Sequence, residues 1–311
     1  MTTDVHLRPL RSDDVATAVE LLAAAHPSDI RHRLAEQLAP GAATGPRRTV
    51  IAEVGGAVVG AAKLAVEPMY PEALAVLVAV MDEWRGRGIG SQLGNAIMSE
   101  VSALDGYALT TCALRDDSAA GRRFAERYGL VVSHHSIGLE CPVSGRGDAL
   151  SEQAAEAAAV AGVRIRRASF EDDEEVLFEC VGRCMEGLPM PFGAVDLQGS
   201  AQYLPKNAVI LLAENAVGSP RACGLTIGGP QTGTDSWYTH FSAVASDARR
   251  RGVATALKTA LLSFAERAGA PAVLTHNDEA NEPILKLNRK LGMTPAVGYW
   301  VLTRTRVPGD A

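Results

Sequence analysis

The sequence contains an internal repeat, and this repeat constrains the fold more than any other feature. Both halves begin with a short alternating strand, an acidic helix start and an apolar-periodic helix ("DVHLRPLRSDDVATAVELL" and "VRIRRASFEDDEEVLFECV"). Three pairs of landmarks recur at offsets of 158, 164 and 163 residues: Leu7 and Ile165, Arg85 and Arg249, and Gly129 and Gly292. A nearly constant offset indicates a duplication. We therefore predict two domains of one type, residues 1–143 and 163–311, joined by a partly helical linker at 144–162.

The composition limits the class of protein. The 311 residues suffice for about two domains, and 47% hydrophobic residues can supply a core for each. A net charge of −6 argues against a nucleic-acid partner, which usually requires a basic surface. The five cysteines lack metal-binding spacing, so we expect reduced core thiols and no metal site. Without a signal-peptide pattern or an apolar run of membrane-spanning length, we expect a cytoplasmic protein that is not embedded in a membrane.

Strands and helices follow the same order in both halves. In the first half, "EALAVLVAV" (Glu72–Val80) is an apolar strand, preceded by a hairpin about Gly55 and Gly56 and followed by a helix over Gly88–Leu104. In the second half, "SWYTHFSAV" precedes a helix over Gly252–Ala268. This mixed order predicts an α/β (α+β) fold in which each domain has a mixed, mostly antiparallel sheet flanked by helices.

The stretches "EWRGRGIGSQL" and "DARRRGVATAL" each place an arginine three residues before a glycine, between an apolar strand and a helix. The first amides of a helix have no internal partner, and glycine lets a phosphate approach them. Neither stretch has the Lys-Ser/Thr of a P-loop or the spacing of a dinucleotide fingerprint. A plain glycine turn is the alternative to a phosphate-binding loop. The predicted loop residues are Arg85, Arg87, Gly88, Ile89, Gly90 and Ser91, and Arg249, Arg251, Gly252, Val253, Ala254 and Thr255.

With Arg-x-x-Gly-x-Gly/Ala after an apolar strand, both stretches resemble the acetyl-CoA signature of the GNAT superfamily of N-acetyltransferases, in its tandem, two-domain type. The later "FAERYGL" and "LKLNRKLGM" resemble a family segment that ends in Gly-Phe, with Leu130 and Met293 in place of Phe. The resemblance implies two tandem acyl-CoA N-acyltransferase domains that use acetyl-CoA as the acyl donor. It further implies direct attack by the amine of a small molecule in a ternary complex, without naming that acceptor.

The resemblance also implies where the donor binds. The pantetheine arm is expected between the fourth and fifth strands, where a bulge presents a backbone N–H near Val80 or Val244 to the oxyanion. Relatives often use a Tyr four residues before the glycine of the Gly-Phe segment to protonate the thiolate. That glycine is Gly129 or Gly292 here, so the position holds Ala125 or Asn288. Asn288 is expected to hydrogen-bond the sulfur or pantetheine, unless it is an ordinary polar helix residue. Asn281 is expected to contact the cofactor.

In the family that this sequence resembles, the general base often lies nine or eleven residues before the motif arginine. In the second half these positions hold His240 and Tyr238, whereas in the first half they hold Val76 and Leu74. Residues two apart share one face of a strand. We therefore expect the chemistry in the second half, with a buried core histidine as the alternative for His240.

Three functions are open at this point. The first is an N-acetyltransferase for a small amine, and the second is a non-catalytic acyl-CoA-binding or sensor protein, which the missing Tyr favours. The third is an acyltransferase that uses a longer acyl-CoA or an oxygen acceptor. We expect a monomer or a homodimer. The neighbouring His134 and His135 should point to opposite faces of a strand, which disfavours a metal site, and Met185–Asp196 either shapes the acceptor pocket or covers the core.

Overall fold

The computed structural model describes residues 4–26, 31–39, 45–67, 70–186, 204–205, 207–231 and 234–306. These residues form two compact units. Unit 1 holds the described residues of Met1–Ser136 and of Val297–Ala311, and unit 2 holds those of Ile137–Pro191 and Leu204–Ala296. The predicted domain boundaries follow the sequence repeat and stay a prediction.

Unit 1 has one sheet in the order β1-β2-β3-β4-β5-β12. Neighbouring strands are antiparallel except β4 and β5, which are parallel. The elements are β1 (His6–Pro9), α1 (Val15–Ala25), α2 (Arg31–Leu38), β2 (Arg47–Val54), β3 (Ala57–Glu67), β4 (Tyr70–Val80), α3 (Ile89–Ser102), β5 (Leu109–Arg115), α4 (Ala119–Glu126), the start of β6 (Val131–Pro142) and the part of β12 (Thr294–Thr305) from Val297 onward.

Unit 2 repeats this plan with the order β7-β8-β9-β10-β11-β6. Neighbouring strands from β7 to β10 are antiparallel, and β10 is parallel to β11. The elements are the rest of β6, α5 (Gly147–Ala161), β7 (Val163–Ala168), α6 (Phe170–Met185), β8 (Val209–Asn215), β9 (Ala222–Pro230), β10 (Trp237–Val244), α7 (Val253–Arg267), β11 (Ala272–Asp278) and α8 (Glu282–Lys290). The predicted fold class, mixed and mostly antiparallel sheets flanked by helices, is confirmed.

The apolar strand β4 is buried on both faces, which explains why its sequence does not alternate. Leu74 and Val76 pack in a core with residues of α3, such as Ile89. Leu77 and Ala79 point the other way, into a second core with residues of α1 and α2. Alternate side chains of one strand therefore hold the two helix layers of unit 1.

The predicted linker is mostly the helix α5, which packs against α7 in unit 2. Leu150 lies in the core of that unit, and the hydroxyl oxygens of Ser151 and Ser263 are 3.0 Å apart. Gly162 ends the helix with a left-handed φ of 65°, a conformation that favours glycine. Within the described residues, no helix is both long and apolar enough to span a membrane.

An arginine ion-pair network appears in both units, although the sequence analysis did not identify it; the arginine side chain is 7% exposed in unit 1 and 30% exposed in unit 2. In unit 1, Arg8 of β1 donates to Asp14 at 2.6 Å and to Glu53 of β2 at 2.6 Å. In unit 2, Arg166 of β7 contacts Asp173 and Glu214, each at 2.8 Å. Each arginine thus ties its unit's first strand to the start of the following helix and to the second strand.

The last strand of the chain completes the sheet of unit 1. Residues Tyr299–Thr305 of β12 pair with β5 in seven register positions, from Arg115 back to Leu109. Without this pairing, β5 would be an edge strand with an unpaired row of backbone groups.

Deleting residues 297–311 should therefore destabilise unit 1 selectively. We expect the amides of Leu109–Arg115 to lose hydrogen-exchange protection, whereas β8 and β9 of unit 2 keep theirs. A chain that ends at Arg306 retains all seven register positions and is the control. Unchanged protection of β5 in the longer deletion would contradict the assignment of β12 to unit 1.

Replacing Asp14 with Asn should cost roughly 2–3 kcal/mol of unit 1 stability, because Arg8 then loses a buried anionic partner. The exposed neighbour Asp13 offers the control Asp13→Asn, which we expect to change stability by less than ~0.5 kcal/mol. Denaturant unfolding measures both.

The effect of Asp14→Asn should also depend on pH. The Arg8 guanidinium holds the pKa of the Asp14 carboxyl below its usual range. The ion pair therefore contributes above the unfolded pKa of about 3.9, and its contribution is lost as the pH falls through the lower folded value. A penalty that stays constant under acidification would contradict the ion-pair explanation.

Candidate functional site

The two glycine turns have the same backbone. After β4, a 3₁₀ turn at Asp82–Trp84 leads to α3, whose N-cap Gly88 has a φ of 81°. After β10, a 3₁₀ turn at Ser246–Ala248 leads to α7, whose N-cap Gly252 has a φ of 92°. Neither helix has a side-chain cap, and a Cβ on Gly88 would meet no atom within 4 Å. The first backbone amides of both helices therefore donate no hydrogen bond to a capping side chain.

The turns also share a left-handed residue two positions earlier. In unit 1 this residue is Gly86, with a φ of 75°, and in unit 2 it is Arg250, with a φ of 62°. A non-glycine residue rarely adopts this conformation without a reason in its surroundings. The second copy thus keeps the backbone of the first although its sequence no longer favours it.

The motif arginines bind the ends of the strands that precede them. Arg85 donates from Nε to the carbonyl of Val80 at 3.1 Å and pairs with Asp82 at 2.6 Å. Arg249 donates from Nε to the carbonyl of Val244 at 3.2 Å and from Nη2 to that of Cys184 at 2.8 Å. Both guanidinium groups therefore brace the turn, a role that requires no ligand.

The other two loop arginines differ from each other. Arg87 donates to the carbonyl of Glu83 at 3.1 Å, and its guanidinium carbon lies 4.7 Å from the centre of the Trp84 ring. Arg251 is exposed beside Gly252. The predicted contacts of these arginines with phosphate stay a prediction.

The parallel strands separate in both units after two or three paired positions. β4 pairs with β5 from Ala73 to Ala75, although β4 continues to Val80. β10 pairs with β11 only at Trp237 and Tyr238, and it continues to Val244. This is the strand separation that the family resemblance implied for the pantetheine arm.

A bulge lies in the middle of β10 but not at the matching place in β4. The register of β10 with β9 shifts between Thr239 and Phe241, so that His240 is the extra residue. β4 keeps a continuous register with β3 from Leu74 to Val80. The bulge therefore lies four residues before Val244, further back along the strand than expected, and it distinguishes the second copy.

Three aromatic side chains meet where β10 and β11 separate. The hydroxyl of Tyr238 lies 3.0 Å from Nδ1 of His276, and the two ring centres are 5.6 Å apart. The ring of His240 meets that of Tyr238 edge-on at 5.2 Å, and its Nε2 is shielded from solvent. The structure thus brings together both predicted strand residues and adds one that the sequence analysis missed.

His276 lies on β11, two residues beyond Leu274, which is the register partner of Tyr238. The pattern "AVLTHND" contained the signal, since a histidine in the parallel neighbour of β10 can face the same opening. The matching positions of the first copy are apolar, and Leu74 and Val76 are only 0% and 7% exposed.

Two asparagines, one at the start of α8 and one within it, have clear structural roles. Asn281 is the N-cap of α8 and accepts from the Ile284 amide at 3.4 Å, as Ser118 does for α4. Asn288 is fully buried and donates from Nδ2 to Oδ1 of Asn277 at 2.7 Å. Its own Oδ1 is buried and has no hydrogen-bond partner among the described residues. A buried acceptor without a partner is uncommon in folded proteins, so this oxygen is a candidate contact for a ligand.

The remaining candidates do not form a second site. Nε2 of His135 lies 3.0 Å from Oδ2 of Asp116, and the ring stacks on Trp300 with centres 3.8 Å apart. No group of three potential metal ligands occurs in the described part of the chain. All five cysteines are free and buried, and burial raises the pKa of Cys112 to about 12. Residues 187–196 of the predicted pocket segment lie outside the described residues.

Comparison with known proteins identifies the family. Residues 45–131 match the family described as "Acetyltransferase (GNAT) domain", and residues 196–293 match "Acetyltransferase (GNAT) family". No curated protein matches the chain significantly in sequence.

Solved structures agree over nearly the full length. A tandem GNAT protein from the clavulanic acid biosynthesis pathway is 21% identical with a TM-score of 0.73, and the match covers 99% of this chain and 100% of that one. A GCN5-related N-acetyltransferase from Sphaerobacter thermophilus is 19% identical with a TM-score of 0.68, covering 98% and 96%. At this identity the likeness establishes the fold alone. With both family matches, the chain belongs to the GNAT acetyltransferase family and carries two GNAT domains in tandem.

Proposed function

We propose that the chain is an acetyl-CoA-dependent N-acetyltransferase for a small-molecule amine, and that the second copy performs the chemistry. The observation that carries this proposal is the opening between β10 and β11, which begins at Tyr238 and has His240 in the bulge beside it. The first copy has the same opening but fills the matching strand positions with core residues.

The start of α7 supplies the donor's diphosphate site. The amides of Val253, Ala254 and Thr255 belong to the first turn of a helix without a side-chain cap, where the helix dipole adds positive charge. Arg249 holds the turn by its bond to Val244, and the exposed Arg251 adds charge at the rim. In the first copy, Ile89, Gly90 and Ser91 offer the same amides.

The separated strands suit the pantetheine arm. Beyond Tyr238, β10 does not pair with β11 in the part of the chain that the structure describes, so its backbone can hydrogen-bond to an extended chain with amide groups. The buried Oδ1 of Asn288 is an acceptor for an amide N–H of that arm. These features fit a CoA thioester, whose carbonyl then lies near the bulge, where a backbone N–H stabilises the developing oxyanion.

His240 serves as the base. An amine with a pKa near 10 is only about 0.1% neutral at pH 7, so that removal of a proton is needed before or during attack. The imidazole of His240 lies at the bulge, next to Tyr238, on the strand that borders the opening. The amine nitrogen then forms a bond to the acetyl carbon as the bond to sulfur breaks.

A non-catalytic acyl-CoA-binding protein is the second candidate, because Asn288 and Ala125 occupy the positions at which relatives often have a Tyr that acts as the general acid. The two functions differ in a simple assay. An enzyme releases CoA in the presence of a suitable amine, whereas a sensor binds acetyl-CoA without turnover over a broad amine panel.

Replacing Gly252 with Ala should weaken acetyl-CoA binding about tenfold. Alanine disfavours the left-handed conformation by roughly 1–2 kcal/mol, so the free turn relaxes away from the geometry that the diphosphate requires, and binding has to restore it. Calorimetric titration of Gly252→Ala and Gly88→Ala reports which copies bind. Gly106→Ala is the matched control, since Gly106 has a φ of 85° in open space outside both turns. Unaltered affinity in both turn variants would rule out these loops as the diphosphate site.

Replacing His240 with Ala should lower kcat by roughly 100-fold or more at neutral pH, with little change in KM for acetyl-CoA. The deficit should shrink as the pH approaches the pKa of the amine, since the amine then loses its proton to solvent. The exposed His6 on β1 provides the control His6→Ala. Full activity of His240→Ala in steady-state assays would remove His240 from the mechanism.

A further inference from the structure

We propose that Tyr238 is the general acid that protonates the departing CoA sulfur, and that His276 positions it and stabilises its phenolate. This inference rests on the proposed transferase function. It answers the question raised by Asn288, which stands where an acidic Tyr is expected and carries no ionisable group.

The geometry places the Tyr238–His276 pair at the start of the strand opening. Tyr238 is the last residue of β10 that pairs with β11, opposite Leu274. His276 follows two positions later on β11 and reaches back to the Tyr238 hydroxyl, 3.0 Å from Nδ1. The hydrogen bond therefore joins the two strands where they begin to diverge, which is where a thioester held between them would end.

The neighbouring groups support the division of roles. His240, the extra residue of the bulge, meets the Tyr238 ring edge-on, with ring centres 5.2 Å apart. Base and acid are thus adjacent, as expected when one reacting carbon gains nitrogen and loses sulfur. Asn288 cannot replace Tyr238, because an amide is not an acid at neutral pH and its Nδ2 is engaged with Asn277.

Energetics explain why Tyr238 needs His276. A thiol has an ordinary pKa near 8.5 and a phenol near 10, so transfer of a proton from phenol to thiolate is disfavoured roughly 30-fold. A hydrogen bond donated by Nδ1–H of His276 stabilises the phenolate oxygen and offsets this difference. The inference therefore requires the tautomer of His276 that carries its proton on Nδ1.

The proton balance closes within the site. The amine binds in its neutral form, after its ammonium proton has passed through His240 to solvent. The C–N bond then forms, His240 takes a proton from the amine nitrogen, the C–S bond breaks, and Tyr238 gives its proton to sulfur. The proton on His240 then passes to the Tyr238 oxygen, directly or through a water. One proton has moved from amine to thiol, both side chains have returned to their initial states, and no oxidant or reductant is involved.

Variants of His276 separate positioning from structure. We expect His276→Leu to lower kcat roughly 10- to 100-fold with KM for acetyl-CoA within about twofold of the parent. His276→Asn should recover most of kcat, because its side-chain amide N–H can take the place of Nδ1–H. Tyr238→Phe should lose at least as much as His276→Leu, and the exposed Glu282→Gln on α8 is the control.

The pH profile is the readout that a purely structural role would not move. In the parent, kcat should fall at alkaline pH as Tyr238 ionises, and in His276→Leu this fall should shift to higher pH. A second readout needs no acetyl-CoA: NMR of isotope-labelled tyrosine in the ligand-free protein, with the Tyr238 signal assigned by its loss in Tyr238→Phe. Tyr238 should ionise at higher pH in His276→Leu than in the parent.

The outcomes distinguish this inference from the function on which it rests. A parent with no CoA release over a broad amine panel overturns both. An active parent with an unchanged pH profile and unchanged Tyr238 titration in His276→Leu overturns the acid assignment and leaves the transferase intact. If His276→Leu unfolds, His276→Asn against His276→Gln decides, since Gln carries its amide N–H one bond further out and should not rescue.

Discussion

The separation of β10 from β11 is the constraint on which the candidate site depends. Backbone N–H and C=O groups are paired almost everywhere in a folded protein, and a sheet normally provides those pairs. Here the pairing ends at Tyr238, although β10 continues to Val244 and β11 to Asp278. The extra residue His240 bends the strand at the same point. A strand that diverges in this way leaves a polar border suited to an extended ligand with its own amides.

The two copies use the same opening differently. In β4 the register with β3 is continuous from Leu74 to Val80, and the side chains of Leu74 and Val76 pack under α3. Those positions contribute apolar burial, worth about 1.5–3 kcal/mol for each large side chain. In β10 the matching positions hold Tyr238 and His240, which lose part of that burial and gain ionisable groups. The second copy thus gives up core packing at the place where chemistry would need protons to move.

Periodicity and spacing predicted the repeat and the mixed sheets, whereas Tyr238 and His240 were predicted from the family resemblance. Strand alternation does not reveal which residue is extra, so the bulge at His240 was placed too near Val244. His276 was missed because its proximity to Tyr238 depends on the parallel register that the α7 crossover sets. The pairing of β12 with β5 joins residues almost 200 positions apart, and nothing in a local pattern encodes it.

The motif arginine has a structural role that the sequence analysis did not identify. Arg249 ties the end of β10, through the carbonyl of Val244, to the carbonyl of Cys184 near the end of α6. Val244 lies four positions beyond His240, which corresponds to roughly 13 Å at 3.3 Å per residue of extended strand. Arg249 therefore fixes the position of the start of α7 relative to the bulge. The same contacts set the distance that a ligand binding at both places has to span. Arg85 makes the same bond to Val80 in the copy whose strand is apolar. The arginine thus braces the turn in both copies, and Tyr238, His240 and His276 lie in the copy for which we propose proton transfer.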